Sequence, residues 1–405
     1  MEIKSLVVIP TRNRTDLAKN AIRSVLDQSD CKFEVIVSDN STDEAQVSEL
    51  RKFCKVLADN RLSYVRPEPT LTMTKHWDWV MKTVLEKYEF SHITFLTDRM
   101  VFKKDALKQL ESISGRFPDK LITYAIDEIL DQTDPVTLLQ NSTTKKLFEI
   151  TNDEMVKAFL ELLWVSPFPR MFNCYVPRSF IEQVHKEYGE IFSSVSPDFN
   201  FGFKVMDLED STLYYDEALL VSYGLKVSNG QNMLTGTWAT NETAIDFHKQ
   251  IDQSDVYIDC LLPFCSTAID ALLNEYFYIV KRGKRRKFPP LNKSKYRSRV
   301  ISNVLQLPPS NVRSQLIGIL QKEYGKRYPE FVLRSKLPLK RYGLRLISDA
   351  STTIFAKEGA VRMEFESIDK ALEYLINSRA FKSRSRASFY KRTSILPLKL
   401  NELKF

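Results

Sequence analysis

The sequence predicts an α/β protein built on a mostly parallel sheet flanked by helices, and three observations carry that prediction. Leu6, Val7, Val8 and Ile9 form a short apolar, β-branched run that stops at Pro10, the pattern of a fully buried strand. Residues 33–37 repeat the pattern. Between the two, Ala18, Ile22, Val25 and Leu26 recur at helical spacing, so this segment lays one apolar face on the sheet. A strand-helix-strand unit makes a right-handed crossover, which places both strand ends on one carboxyl edge. Thr11 and Asp39 therefore share that edge, where open parallel sheets bind their ligands.

The chain then continues the alternation. Residues 44–56 read as a polar surface helix and 62–65 as the next strand, which ends at Arg66 and Pro67. A polar loop, 70–75, leads into an amphipathic helix carrying His76, Trp77, Trp79, Val80 and Val84. Residues 92–96 are a fourth apolar strand, followed by Thr97, Asp98, Arg99 and Met100. A helix is predicted over 102–110, with Lys103, Lys104 and Lys108 on its wet side, then a strand over 121–129. Residues 131–146 read as a hydrophilic surface loop, and Thr151 or Asn152 caps a helix that runs to 164. The stretch 165–175, with two prolines and many aromatics, is too irregular for a helix. Asp198 stands near a helix start, Glu209 and Asp210 in a turn before a strand-like segment, and 223–236 reads as a flexible loop rich in Asn, Ser and Gly. Beyond that, 247–273 looks helical, 281–299 is a basic arm or linker, and helices are expected over 312–324 and 368–377 before a basic tail, 379–392.

Composition bounds the rest. A chain of 405 residues suggests two or three domains with a large core. The formal charge of +8 fits anionic partners such as a nucleotide diphosphate or lipid phosphate. Five cysteines without a CxxC pair argue against a disulfide framework or zinc site, which fits a reducing cytoplasm. With no apolar run near about twenty residues, neither secretion nor a spanning helix is expected. No RNP motif, zinc finger or helix-turn-helix signature points to nucleic acid.

Two motifs carry a resemblance. VIPTRNR, at 8–14, stands where family-two glycosyltransferases usually carry VIPTYNR, and VSDNSTDE, at 37–44, where they carry VDDGSTD. The chain resembles this family, the inverting, nucleotide-sugar-dependent enzymes of the GT-A fold, over a little more than its first half. The resemblance implies a GT-A domain over 1–240, with a nucleotide-binding half at 1–110 and an acceptor half at 111–240, followed by a helical basic region, 241–405. It implies that Pro10, Thr11 and Arg12 line the nucleotide pocket, that Asp39 accepts from the base or ribose, that Arg66 meets the base, and that Lys75 reaches phosphate. Residues 165–175 would wall the acceptor site.

The family places two or three clustered carboxylates after the fourth strand to hold Mn2+ or Mg2+ against the donor diphosphate. Here only Asp98 remains, in FLTDRMVF, with Arg99 beside it. Three accounts stay open. Asp98 alone holds a divalent cation completed by phosphate and water; or Arg99 supplies the positive charge, since a guanidinium clamps phosphate bidentately; or Asp98 is a cap and catalysis is lost. In the family a carboxylate near a helix start serves as general base, which points to Asp198, with Glu209 and Asp210 as the rival pair. The implied function is transfer of a sugar from a nucleoside diphosphate donor, a UDP-sugar by expectation, to a glycan or lipid-linked acceptor. A nucleotidyltransferase and a non-catalytic glycan- or nucleotide-binding subunit are the alternatives. The basic segments 281–299 and 379–392 would serve a cytoplasmic, peripheral contact with an anionic membrane or another subunit, each nearby cation adding roughly 1 kcal/mol at such a surface.

Overall fold

The short apolar run at the start of the chain is β1 (Ser5–Thr11), every residue of it buried. The computed structural model describes residues 4–141, 143–161, 165–236, 242–325, 361–377 and 400–404. After β1 come α1 (Thr15–Leu26), β2 (Phe33–Asp39), α2 (Glu44–Leu57), β3 (Leu62–Val65), α3 (Met73–Lys87) and β4 (His92–Phe95). The middle of the chain supplies β5 (Met100–Phe102), α4 (Ala106–Ser114), β6 (Ile122–Leu130), β7 (Val136–Gln140), β8 (Leu147–Thr151), α5 (Asn152–Leu160), β9 (Cys174–Pro177), α6 (Arg178–Tyr188), α7 (Pro197–Leu208) and β10 (Ser211–Ser222). The remainder holds α8 (Asn229–Thr235), α9 (Glu242–Lys249), α10 (Ala268–Arg282), α11 (Lys293–Gln306), α12 (Asn311–Tyr324), β11 (Val361–Phe365), α13 (Ile368–Asn377) and β12 (Leu400–Leu403).

The expected α/β class is what forms. The sheet runs in the order β12-β8-β10-β6-β9-β4-β1-β2-β3, with β5, β7 and β11 off that path. β1 pairs in parallel with β2 and β4, and β10 with β6. Along this path only β9 and β8 run against the other strands. Thr11 sits directly opposite Asp39 in the β1–β2 register, so the two share one edge. That edge also receives the segments after β4 and β10. Because β9 runs the other way, the residues before it, around Arg170, arrive at the same edge. α7 precedes β10 and packs back along the sheet, so its N-terminus opens there too.

Separate cores lie around the sheet: Val7, Ile9 and Ile22 belong to one cluster, Leu6, Val8 and Trp77 to another. A third, with Phe159, Phe203 and Tyr276, joins α5, α7 and α10, so residues after 240 are continuous with the core of the preceding half. Thr151 is the cap of α5, its hydroxyl accepting from Glu154 N.

Several expectations are corrected. The helix expected over 102–110 begins after β5, at Ala106, because Met100–Phe102 pairs with the end of β10. The loop expected over 131–146 contains β7, which pairs with β6 and β11. Residues 223–236 form a 3-10 turn, Leu225–Val227, and α8 rather than a flexible loop. In 247–273, helix is confined to the end of α9, a short 3-10 turn and the start of α10, because the side chain of Asn274 holds the backbone of Tyr257 and Ile258 out of helix. The basic arm expected from 281 is anchored: buried Asp207 accepts from the backbone N–H groups of Lys284, Arg285 and Arg286. Charge counting saw the side chains of that run, while its backbone amides set its place. The tail 379–392 lies outside the described residues. Among the described residues no helix is long and apolar enough to cross a membrane.

Candidate active site

The strand ends place one polar cluster. Thr11, at the end of β1, donates from Oγ1 to Asp98 Oδ2 at 2.9 Å, and Arg14 Nη1 lies 3.5 Å from Asp98 Oδ1. Asp98 is 3% exposed. Arg99 Nη1 donates to Tyr223 O at 3.1 Å, and Tyr223 N donates to Arg99 O, which ties the segment after β4 to the end of β10. Burial lowers the Arg99 pKa from its ordinary value, against the pull of Asp98; an arginine so placed stays charged near neutrality. At the adjoining Gly224, φ is +66°, and a Cβ there would lie 3.3 Å from Arg99 Cγ. A side chain would strain the turn and crowd the guanidinium. Arg14 Nη2 also donates to Val227 O, and Arg12 bonds Leu71 O while its other nitrogen lies 3.4 Å from Asp246.

Asp39, Arg66 and Lys75 are placed differently from Thr11. Asp39 is fully buried and accepts from Tyr64 OH at 2.7 Å and Ser41 N at 2.9 Å. It fixes the turn carrying Asn40 and Thr42, which do face the cavity. Arg66 donates to Ser41 O and pairs with Glu44, and Lys75 is exposed; neither lines the cavity. His76 does line it, with a ring nitrogen 2.7 Å from Ser38 Oγ, and burial pushes its pKa down to about 3, so it is neutral.

Helix α7 supplies the opposing group. Ser196 precedes it, Pro197 opens it, where proline's fixed φ suits the first turn, and Asp198 follows in that turn. Asp198 keeps a partly accessible face toward the cavity and is enclosed by protein elsewhere. That burial raises its pKa to about 6, with Arg170 pulling the other way. Arg170 stacks on Phe172 at 4.6 Å and lies 5.8 Å from the Phe199 ring. Gly202 makes this proximity achievable: a Cβ there would stand 2.1 Å from Pro169 O, so only glycine lets the segment before Arg170 lie against α7.

Both groups open onto one cavity of about 850 Å³. Of the residues singled out by sequence, Pro10, Thr11, Arg12, Asp98, Arg99 and Asp198 line it. Glu209 and Asp210 do not: Asp210 is exposed beyond the far end of α7, and Glu209 offers its carbonyl to Asn152. Sequence reasoning missed Arg14, Asn229, Asp246 and Arg299 on the wall, and reached Arg170 only as part of the 165–175 stretch. Arg14 was within reach, as the last residue of VIPTRNR. The others stand in segments whose path no local pattern reveals. Arg299 comes from α11, where burial pushes its pKa down to about 10.

A divalent cation is the group the clustered-carboxylate motif would hold. Magnesium and manganese want several oxygen ligands. Here Asp98 has one oxygen engaged by a hydroxyl and the other beside the Arg14 guanidinium, with Arg99 also close. No group of three His, Cys, Asp or Glu suited to a metal occurs among the described residues. This donor set does not fit such an ion.

The chain is similar to the crystal structure of S. aureus TarS 1-349 in complex with UDP-GlcNAc, with 12% identity and a TM-score of 0.43, covering 84% of this chain and 90% of that one. It is similar also to the mannosyltransferase PcManGT from Pyrobaculum calidifontis in complex with GDP-Man and Mn2+, at 12% identity and TM-score 0.46, covering 84% of this chain and 81% of that one. Residues 6–183, from β1 to α6, match the model of one family, described as Glycosyl transferase family 2.

Proposed function

We propose that the chain is an inverting glycosyltransferase that moves a sugar from a nucleoside diphosphate donor, a UDP-sugar by the resemblance of its motifs, to a hydroxyl of a glycan or lipid-linked saccharide. One observation supports this most: the Thr11–Asp98–Arg14–Arg99 cluster and Asp198 face a single cavity from different elements. Pro10, Thr11, Arg12 and the Asn40–Thr42 turn receive the nucleoside. Arg14 and Arg99 face the diphosphate, and hydrogen bonds to charged groups of this kind contribute about 1.5–3 kcal/mol each. Asp98 orients Thr11 and Arg14 rather than binding a metal.

Asp198 acts as general base. Its carboxylate takes the proton of the acceptor hydroxyl while the hydroxyl oxygen bonds to the anomeric carbon. The bond from that carbon to the diphosphate breaks, and its electron pair leaves on the nucleoside diphosphate, where the arginines stabilise it. A base with a pKa near 6 is ionised at neutral pH and still basic enough to help. Arg170 and Phe172 form the acceptor wall, and the exposed Lys281, Arg282, Lys284, Arg285 and Lys287 offer a face to an anionic membrane.

The test is incubation with UDP-, GDP- and TDP-sugars, with and without saccharide acceptors. Release of nucleoside diphosphate supports the reading. Pyrophosphate release would identify a nucleotidyltransferase, and nucleotide binding without release a non-catalytic subunit.

A further inference from the structure

The carboxylate of Glu275, on α10, is fully buried. Its Oε1 accepts from Ser194 Oγ at 3.1 Å, Val195 N at 3.1 Å and Ser196 N at 2.9 Å, and its Oε2 accepts from Asn200 Nδ2 at 3.0 Å. Those donors all belong to the turn that enters α7 and to its first turn. Helix N-termini leave backbone N–H groups without helical partners, and here a side chain from a distant helix takes two amides just ahead of α7. Ser194 holds φ at +64°, a conformation that L side chains adopt rarely and that needs outside support. The neighbouring Asn274 reinforces it, donating to Ser194 Oγ and to Asp255 O. At the other end of α7, Asp207 receives the amides that follow α10. Thus α10 grips α7 at both ends.

We infer that Glu275 is the positioning residue for Asp198: by fixing the 194–196 turn and Asn200, it sets the direction in which α7 presents the Asp198 carboxylate to the cavity. This rests on the reading of Asp198 as the base. It places a determinant of the reaction more than ninety residues beyond the family match at 6–183. Burial pushes the Glu275 pKa up to about 8 while its hydrogen-bond donors, Asn274 among them, favour the charged form. Its role is one of hydrogen-bond reach, set by these contacts, which carboxyl-conserving and shape-conserving variants separate.

E275D keeps the carboxyl group and withdraws it by one methylene. E275Q keeps the reach: the amide oxygen still accepts from Val195 and Ser196, and Asn200, whose Oδ1 has no hydrogen-bond partner, can turn that oxygen to the new NH2 group. D270N is the control, a buried carboxylate on the same helix bound by Thr267 and Tyr296 instead of the turn. With nucleoside diphosphate release as the readout, E275D lowers kcat at least about tenfold with donor KM within about twofold, while E275Q and D270N stay within about threefold of the parent. The inference is overturned if E275D keeps its kcat, if its KM rises in step, if E275Q falls as far as E275D, or if D270N does. Should the parent release no nucleoside diphosphate, the function reading fails by itself. The inference is then decided by carboxyl NMR titration of Asp198, whose midpoint must move in E275D and hold in E275Q; an unmoved midpoint in E275D overturns it.

Discussion

The two ends of the cavity are built by different means. At the donor end, residues are placed by strand register: Thr11 stands opposite Asp39 because β1 and β2 pair in parallel, and Asp98 follows because β4 pairs with β1. At the acceptor end, Asp198 is placed by a helix whose position depends on Gly202, on Asp207 and on a carboxylate from α10. Register is cooperative over many backbone hydrogen bonds and tolerates single changes. A helix N-terminus held by one buried side chain does not. The donor end should therefore lose function through the charge of its side chains, and the acceptor end through placement.

Removing the base gives the largest effect. D198N should lower kcat by about 10²–10⁴-fold, the usual range for a general base, while nucleotide affinity by calorimetry stays within about twofold. Equal loss of both would erase the distinction between the two ends. At the donor end, R99A should weaken nucleoside diphosphate binding about 10- to 100-fold, corresponding to one charge-assisted contact, and leave binding of the bare nucleoside unchanged. A comparable loss for the nucleoside would show that Arg99 shapes the pocket rather than meeting phosphate.

The pH profile sharpens the comparison further. Asp198 has its pKa raised by burial to about 6, and only its deprotonated form takes a proton. Transfer should therefore be flat above pH 7 and fall about tenfold per unit below pH 6, a limb absent from the residual rate of D198N. The smallest effect is expected from chelation. With arginines in place of clustered carboxylates, nucleotide affinity in EDTA should stay within about twofold of that in Mn2+; a loss of more than about tenfold would make Asp98 a metal ligand after all.

The donor end was largely legible in the sequence because its information is local. An apolar run ending in PTRNR and a second ending in SDNST specify strands, crossover and edge without further context. The same logic did not register burial: Asp39 accepts from Tyr64 and Ser41, partners 25 and 2 residues away. Asp198 was singled out by the family resemblance, while its helix start, a local signal, fitted a cap equally well. Arg299 and Glu275 were not legible, because their work depends on contacts across the fold; Glu275 meets its turn 79 to 81 residues away in sequence. The basic run after α10 misled for a related reason, since its anchor is a set of backbone amides on Asp207, which composition does not register.

The most direct test is single-turnover release of nucleoside diphosphate from a UDP-sugar by the parent protein and by D198N, at pH 7.5 with EDTA present. The account predicts release by the parent, and loss of at least about a hundredfold in D198N at unchanged donor affinity. Release at the same rate by both proteins would contradict it, as would binding of the donor by the parent with no release under any acceptor.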